Sequence, residues 1–150
     1  MNGQKSSGRA EEPLILYQAQ VKSPFSFWDL ATAAQRISEG LSTYFLEVIR
    51  QDLQLSNSEL AYVVSISQRT LARRKKELRL SSDESERAYR IARLIEIATN
   101  ILGSKEEAQR WMKEYNFALG NQKPLDLIRT EPGAQLVERV LHQIEYGLTV

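Results

Sequence analysis

Apolar residues follow a helical spacing through most of the chain beyond residue 25. A first series starts after Ser26 and Asp29, which have the three-residue separation of an N-cap arrangement, and Gly40 ends it. Its apolar members are Leu30, Ala33, Ala34 and Ile37, and those of the next series are Leu41, Phe45, Val48, Ile49 and Leu53. The pattern predicts two amphipathic helices, each with one face in a core.

Two short helices are predicted in the middle of the chain, where helix signals are closely spaced. Ser56 and Glu59 have the separation of a capping box, in which the serine oxygen and the glutamate carboxylate each accept from the other residue's amide. Ser67 suits the N-cap of a second helix, from Gln68 to about Glu77. Residues 65–67 then form a turn, and two helices joined in this way have the spacing of a helix-turn-helix.

Further helices are predicted in the second half of the chain. The longest lies between Ser81, which forms a capping pair with Glu84, and Gly103, and its apolar face consists of Ala88, Ile91, Ala92, Ile95, Ala98, Ile101 and Leu102. Other helices are predicted to begin after Ser104, at Pro124 and after Thr130. The inward face predicted for the last one comprises Leu136, Val137, Val140, Leu141 and Ile144. Because no strand is convincing beyond the first residues, the predicted fold class is all-α.

The second helix of the predicted helix-turn-helix has a basic outer face. If Leu71 points inward, Arg69, Arg73 and Lys76 fall within about 40 degrees of the opposite direction, and Arg74, Lys75 and Arg79 flank them. Residues 67–79 carry six Lys/Arg and one acid, a local charge of +5, whereas the whole chain has +1 and the remainder therefore −4. Such a concentration favours contact with nucleic acid. The candidate DNA-binding residues are Gln68, Arg69, Thr70, Arg73, Arg74 and Lys76.

The alternative for this basic run is a solvated helix surface without a ligand. The caps, the short connection and the apolar positions favour DNA binding. Two positions depart from the usual helix-turn-helix pattern. Ser65 stands where glycine is frequent, at a cost of about 1 kcal/mol if its backbone is left-handed, and Arg74 stands where an apolar residue is expected late in the second helix.

Composition excludes several kinds of function. The chain has no cysteine and one histidine, His142, so disulfides, cysteine catalysis, thiolate zinc sites and His-rich metal centres are excluded, and no cofactor is expected. No uncharged run exceeds nine residues, far below the roughly 20 apolar residues of a membrane span. With no apolar block of a secretory signal near the start, a cytoplasmic location is expected.

Several short motifs of the second half occur in one order and spacing. They are RTLARR followed by LSSDES, the Ala108 and Trp111 pair, the N-x-A-L-G of residues 116–120, and PLDLIRTEPGA from Pro124 to Ala134. They run in this order from Arg69 to Ala134, and in this respect the chain resembles the Xre/MbcA/ParS family of type II antitoxins. Taken alone, Trp111 is expected in the core, and His142 at the surface or packed.

The resemblance implies a domain organisation and a partner. It implies an Xre-like helix-turn-helix domain over residues 25–95 and a small helical toxin-binding domain over 96–150. Residues 1–24 lie outside the resemblance, and their mixture of Gly, Ser, Lys and Gln without a helical period predicts a flexible N-terminal arm. The partner would be a cognate RES-domain toxin, an enzyme that consumes NAD or uses it to modify another protein. By similarity, the C-terminal tail blocks the toxin active site, and its residues are Tyr146, Gly147, Leu148, Thr149 and Val150. Operator DNA and a homodimer are also implied.

Two other functions are alternatives to that of an antitoxin. A helix-turn-helix transcriptional regulator without a toxin partner would use the second half only for oligomerisation. An enzyme is disfavoured, because the acidic residues near Asp83 suit capping and the helix dipole, and no nucleophile-base pair or phosphate-binding loop is present.

Overall fold

The computed structural model describes residues 28–147, and this part of the chain is helical without strands. Its helices are α1 (Leu30–Glu39), α2 (Tyr44–Leu53), α3 (Asn57–Val63), α4 (Gln68–Glu77), α5 (Ser82–Leu102), α6 (Lys105–Lys113), α7 (Pro124–Leu127) and α8 (Glu131–Glu145), with a short 3-10 helix (Phe117–Leu119) between α6 and α7. The predicted all-α class is therefore confirmed. The N-terminal arm, predicted over residues 1–24, lies outside the described residues.

The predicted capping residues set most of the helix boundaries. Ser67, Ser81, Ser104 and Thr130 each accept a hydrogen bond from the amide three residues further on, and α4, α5, α6 and α8 begin directly after them. Since each side chain satisfies an amide that has no partner within its helix, these starts are determined locally.

The long helix α5 is the centre of the fold. It packs against α1, α2, α6 and α8, and the fully buried side chains of Ile91 and Leu94 lie on it. One continuous hydrophobic core extends from Leu41 in the first half to Leu141 in the second. The predicted division between residues 95 and 96 falls inside α5, so the two halves share this helix and this core.

Three predictions for apolar and capping residues need correction. Leu30 is 85% exposed and Ala34 is exposed as well, because α1 packs on α5 through a narrow stripe around Ala33. Leu136 is exposed because it lies about 100 degrees around α8 from the buried Val137. The N-cap of α1 is Asp29, whose carboxylate accepts from the Thr32 amide at 2.7 Å, whereas Ser26 lies outside the described residues.

The loop that follows α6 has the turn chemistry that its motif suggests. Asn116 Oδ1 accepts from the Ala118 amide at 2.9 Å, and Gly120 has a φ of 69°. Leu119 is buried between them, and Trp111 on α6 is half-buried against the core, as predicted. The motif residues of this segment therefore shape the loop and fill the core.

Candidate functional site

The helix-turn-helix begins with well-formed caps. Ser56 Oγ accepts from the Glu59 amide at 3.1 Å, and the Glu59 carboxylate accepts from the Ser56 amide at 3.0 Å, so both halves of the capping box are present. At the start of α4, Ser67 Oγ accepts from the Thr70 amide at 3.0 Å and donates to Thr70 Oγ1 at 2.9 Å. The first turn of α4 is thereby held in one geometry.

The turn between α3 and α4 contains a strained residue. Ser65 has a φ of 57°, in the left-handed region that favours glycine. Its amide donates to the Tyr62 carbonyl at 3.1 Å, and the next amide, that of Ile66, donates to the Ala61 carbonyl at 3.0 Å. These bonds close the end of α3, and the sequence alone had left open whether the backbone of Ser65 is left-handed.

The outer face of α4 is basic and exposed. Leu71 is the only buried residue of α4 and points into the core, so the side opposite to it faces solvent. Arg69, Arg73 and Lys76 lie on that side and are exposed. Arg73 approaches Glu77 at 3.7 Å, whereas Arg69 and Lys76 make no ion pair or hydrogen bond to residues 28–147. Gln68, the first residue of α4, is exposed as well.

Two other basic side chains of this segment bind within the protein. Lys75 Nζ donates to Asn57 Oδ1 on α3 at 2.9 Å, which links the two helices of the motif. Arg79 donates to the carbonyls of Glu39 and Gly40 at 3.0 and 2.9 Å, at the end of α1. Only part of the local positive charge is therefore free to contact a ligand.

Arg74 has a different position from the one we predicted. Its side chain is 20% exposed, and Nε donates to Glu84 Oε1 at the start of α5 at 2.7 Å, while Nη1 donates to Glu77 at 2.7 Å. These hydrogen bonds raise the pKa of the guanidinium further. Arg74 lies only about 60 degrees around α4 from Leu71, so it belongs to the inner side of the helix. We therefore leave it out of the exposed basic face.

Glu84 is shared between two helices. Its carboxylate accepts from the Ser81 amide at 2.8 Å as the second half of a capping box, and it accepts from Arg74 at the same time. Burial alone would raise the pKa of Glu84, but the Ser81 amide and the Arg74 guanidinium together hold this pKa below its ordinary value. Glu84 is therefore a charged partner for Arg74 at neutral pH.

Side chains of the second half of the chain form hydrogen bonds with the helix-turn-helix. The sequence did not predict these contacts. The Arg129 guanidinium lies over the Tyr62 ring at 4.0 Å and donates to the Tyr62 carbonyl at 2.9 Å. The Tyr62 hydroxyl donates to Asp126 at 3.1 Å, and Arg87 donates to the Val64 carbonyl at 2.9 Å. Both arginines donate to carbonyls at the end of α3, and the Tyr62 carbonyl accepts from the Ser65 amide as well.

The end of α8 is open to solvent. Tyr146 is 74% exposed, and Gly147 has a φ of 70° with no atom of residues 28–147 within 4 Å of the position where a Cβ would stand. The chain can therefore leave the helix in a direction that few other residues allow. The remaining candidate tail residues, Leu148, Thr149 and Val150, lie outside the described residues.

A charged network covers the outer side of α8 next to α5. Arg93 donates to the two carboxylate oxygens of Glu138 at 3.1 and 2.7 Å, and this contact is the main reason why the pKa of Glu138 is lowered. His142 Nδ1 lies 2.9 Å from Glu145 Oε2, and that hydrogen bond raises the pKa of His142. His142 is therefore a surface imidazole between two carboxylates.

Residues 28–147 lack two kinds of feature. No three His, Asp or Glu side chains in this range are grouped so that they could hold a metal ion. No helix in this range combines the length and the apolarity required to cross a bilayer.

Comparison with known proteins accounts for both halves of the structure. Residues 32–93 match the antitoxin Xre-like helix-turn-helix domain, and residues 98–147 match the antitoxin Xre/MbcA/ParS C-terminal toxin-binding domain. The chain is 30% identical over 114 residues to the antitoxin Xre of Yersinia enterocolitica and 28% identical over 114 residues to that of Photorhabdus laumondii. Each alignment covers 75% of this chain and 77% of the relative.

The fold is also similar to a chain in the crystal structure of the M. tuberculosis MbcT-MbcA toxin-antitoxin complex. The TM-score is 0.55 at 22% sequence identity, over 72% of this chain and 96% of the other. This similarity concerns the fold, whereas the sequence matches run through both the helix-turn-helix and the second half and establish the family. This chain belongs to the Xre/MbcA/ParS family of antitoxins.

Proposed function

We propose that this antitoxin neutralises a cognate RES-domain toxin, which consumes NAD or uses it to ADP-ribosylate another protein, by placing its C-terminal tail in the toxin active site. The observation that carries this proposal is the open end of α8, where Tyr146 is exposed and Gly147 permits a change of chain direction. Leu148, Thr149 and Val150 follow Gly147 in the sequence, two apolar residues and one small polar one. The chain of similar fold comes from a complex between a toxin and its antitoxin, which supports a toxin partner here.

The second part of the proposal is that the protein binds the promoter DNA of its own operon through α4. Arg69, Arg73 and Lys76 point away from the core on the helix that enters the major groove in helix-turn-helix proteins. Guanidinium groups bind guanine edges or phosphates, and Gln68 near the helix start suits an adenine edge. A homodimer would place two such helices about 34 Å apart, in successive major grooves. Toxin binding then changes how dimers are arranged on DNA by linkage.

The toxin part is tested by co-expression with the enzyme encoded next to this gene, while growth and cellular NAD are followed. The full chain should protect the cells, and a chain ending at Gly147 should not. A full-length control in which Leu148, Thr149 and Val150 are all serine separates the chemistry of the tail from its length. If the shortened chain also protects, the tail mechanism is wrong and the helical surface does the blocking. If the neighbouring gene encodes no toxic enzyme, the protein is a regulator without a toxin partner.

The DNA part is tested by measuring the affinity for a duplex from upstream of the gene at several salt concentrations. Arg69→Ala and Arg73→Ala should each weaken binding. The salt slope is the slope of the logarithm of the affinity against the logarithm of the salt concentration, and the loss of one phosphate contact lowers its magnitude by about 0.9. The loss of a base contact instead reduces the binding free energy by roughly 1–3 kcal/mol, and only for this duplex. Arg110→Ala on α6 removes an equal charge and should leave the affinity unchanged. Wild-type protein that binds neither this duplex nor an unrelated one would refute the DNA part.

A further inference from the structure

The late inward position of α4 is occupied by an arginine where the motif ordinarily has an apolar side chain. Leu71 is the only buried apolar contact that α4 makes, and Arg74 follows it three residues later on the inner side. One apolar side chain near the start of a helix cannot by itself fix the rotation of that helix about its axis. Further attachments on the same side are needed. Lys75 attaches α4 to α3 through Asn57, and the attachment of α4 to α5 is the ionic one that Arg74 makes.

The attachment that Arg74 makes is well defined. Its partner Glu84 is only 10% exposed and is itself held by the capping box at Ser81, so the carboxylate has little freedom to move. The Nε donor and the Nη1 donor of Arg74 point to carboxylates on two different helices, Glu84 on α5 and Glu77 on α4. The planar guanidinium therefore fixes both the distance and the angle between α4 and the first turn of α5.

We propose that Arg74 is a positioning residue for DNA binding: through Glu84 it sets the rotation of α4, and it thereby decides which side chains face the major groove without touching DNA itself. The inference rests on the DNA-binding part of the proposed function. If the pair is broken, α4 keeps Leu71 and the Lys75–Asn57 hydrogen bond to α3 but gains rotational freedom relative to α5, and the exposed arginines lose their common direction. Binding weakens because the contacting groups are no longer aligned, although their number is unchanged.

The proposal and simple electrostatics predict opposite changes in DNA affinity when Glu84 loses its charge. Glu84→Gln removes a negative charge close to the DNA-binding helix, so general attraction to phosphates should increase. It also preserves the cap, because glutamine serves as well as glutamate in a capping box. If Glu84 positions α4 through Arg74, this variant binds DNA more weakly despite its more positive charge. If instead Arg74 contacts phosphate, release from Glu84 makes it a better ligand and binding becomes tighter.

The experiment measures the affinity of the full chain for a fluorescent duplex from upstream of its gene, at several salt concentrations. We expect Arg74→Met and Glu84→Gln each to weaken binding roughly tenfold, with the salt slope equal to that of the wild type. The double variant should be about as weak as either single one, since both changes remove the same ion pair, although glutamine keeps an oxygen that can accept from Arg74. Asp83→Asn changes the charge equally, on an exposed neighbouring residue, and should not weaken binding.

Other results would overturn the inference. Tighter binding by Glu84→Gln, or a salt slope reduced by about 0.9 in Arg74→Met, would identify Arg74 as a phosphate contact. Equal weakening by Asp83→Asn would show a general effect of charge near this helix. A loss of toxin protection or a collapsed melting transition in both variants would show a merely structural role. If the wild type binds neither this duplex nor an unrelated one, the DNA-binding proposal fails first, and the inference falls with it.

Discussion

Replacement of Ser65 by glycine should stabilise the protein. Ser65 lies in the turn of the helix-turn-helix with a φ of 57°, where the Cβ of an L residue is crowded by its own backbone. The side chain is exposed, and its hydroxyl makes no hydrogen bond to residues 28–147. The substitution therefore removes strain without leaving a cavity or an unsatisfied partner.

The expected gain follows from two opposing contributions. The left-handed conformation costs an L residue roughly 1–2 kcal/mol. A glycine has greater conformational freedom in the unfolded chain, which stabilises the unfolded state by about 0.4–1 kcal/mol. The difference is about 0.5–1 kcal/mol in favour of Ser65→Gly, which raises Tm by about 1–4 °C for a chain of this size.

The assay is reversible thermal and urea unfolding, followed by the helical circular dichroism signal. Ser65→Ala retains the Cβ and the strain, so it should show no gain. Ser58→Gly places the same change inside α3, where glycine is unfavourable, and should cost about 0.5–1 kcal/mol. The reasoning is refuted if Ser65→Gly is no more stable than the wild type, or if Ser65→Ala gains as much.

Two further predictions concern α8. Gly133→Ala should destabilise the protein by about 1–3 kcal/mol, because the added Cβ would stand 1.9 Å from the Leu127 carbonyl oxygen. Urea unfolding measures this loss, with Gln135→Ala on the same helix as the control. A change in the free energy of unfolding below about 0.5 kcal/mol would contradict the prediction. The pKa of His142 in the folded protein should lie above its ordinary value of 6.5, because Glu145 accepts a hydrogen bond from the imidazole, and Glu145→Gln should lower this pKa. Because the folded pKa is raised, the stabilisation is complete below pH 6.5 and is lost as the pH rises through the folded value. With one histidine in the chain, its NMR signals are unambiguous, and a midpoint at or below 6.5 would show that the contact is absent.

The sequence by itself determined where most helices begin. Ser56, Ser67, Ser81 and Ser104 each stand before a helix in the structure, and the glutamates three residues after Ser56 and Ser81 complete capping boxes. These signals are reliable because a cap joins atoms only three residues apart along the chain, so no distant part of the protein has to be known. The direction of the exposed face of α4 could be predicted for the same reason, from Leu71 and the helical period.

The tertiary structure decided what periodicity leaves open. The pattern placed Leu30 and Leu136 in the core, but each is exposed, because the width of a buried stripe depends on which neighbouring helix covers it.

The same holds for the charged residues. Arg74 is separated from Glu84 by ten residues, and Tyr62 from Arg129 by 67. A basic side chain beside an exposed face has the same sequence pattern whether it contacts a ligand or a carboxylate of its own protein. Only the packing of α4 against α5, and of α3 against the segment before α8, brings these partners within hydrogen-bond distance. Helices and caps therefore follow from local sequence, whereas the packing of the helices settles which of the charged residues remain exposed on α4.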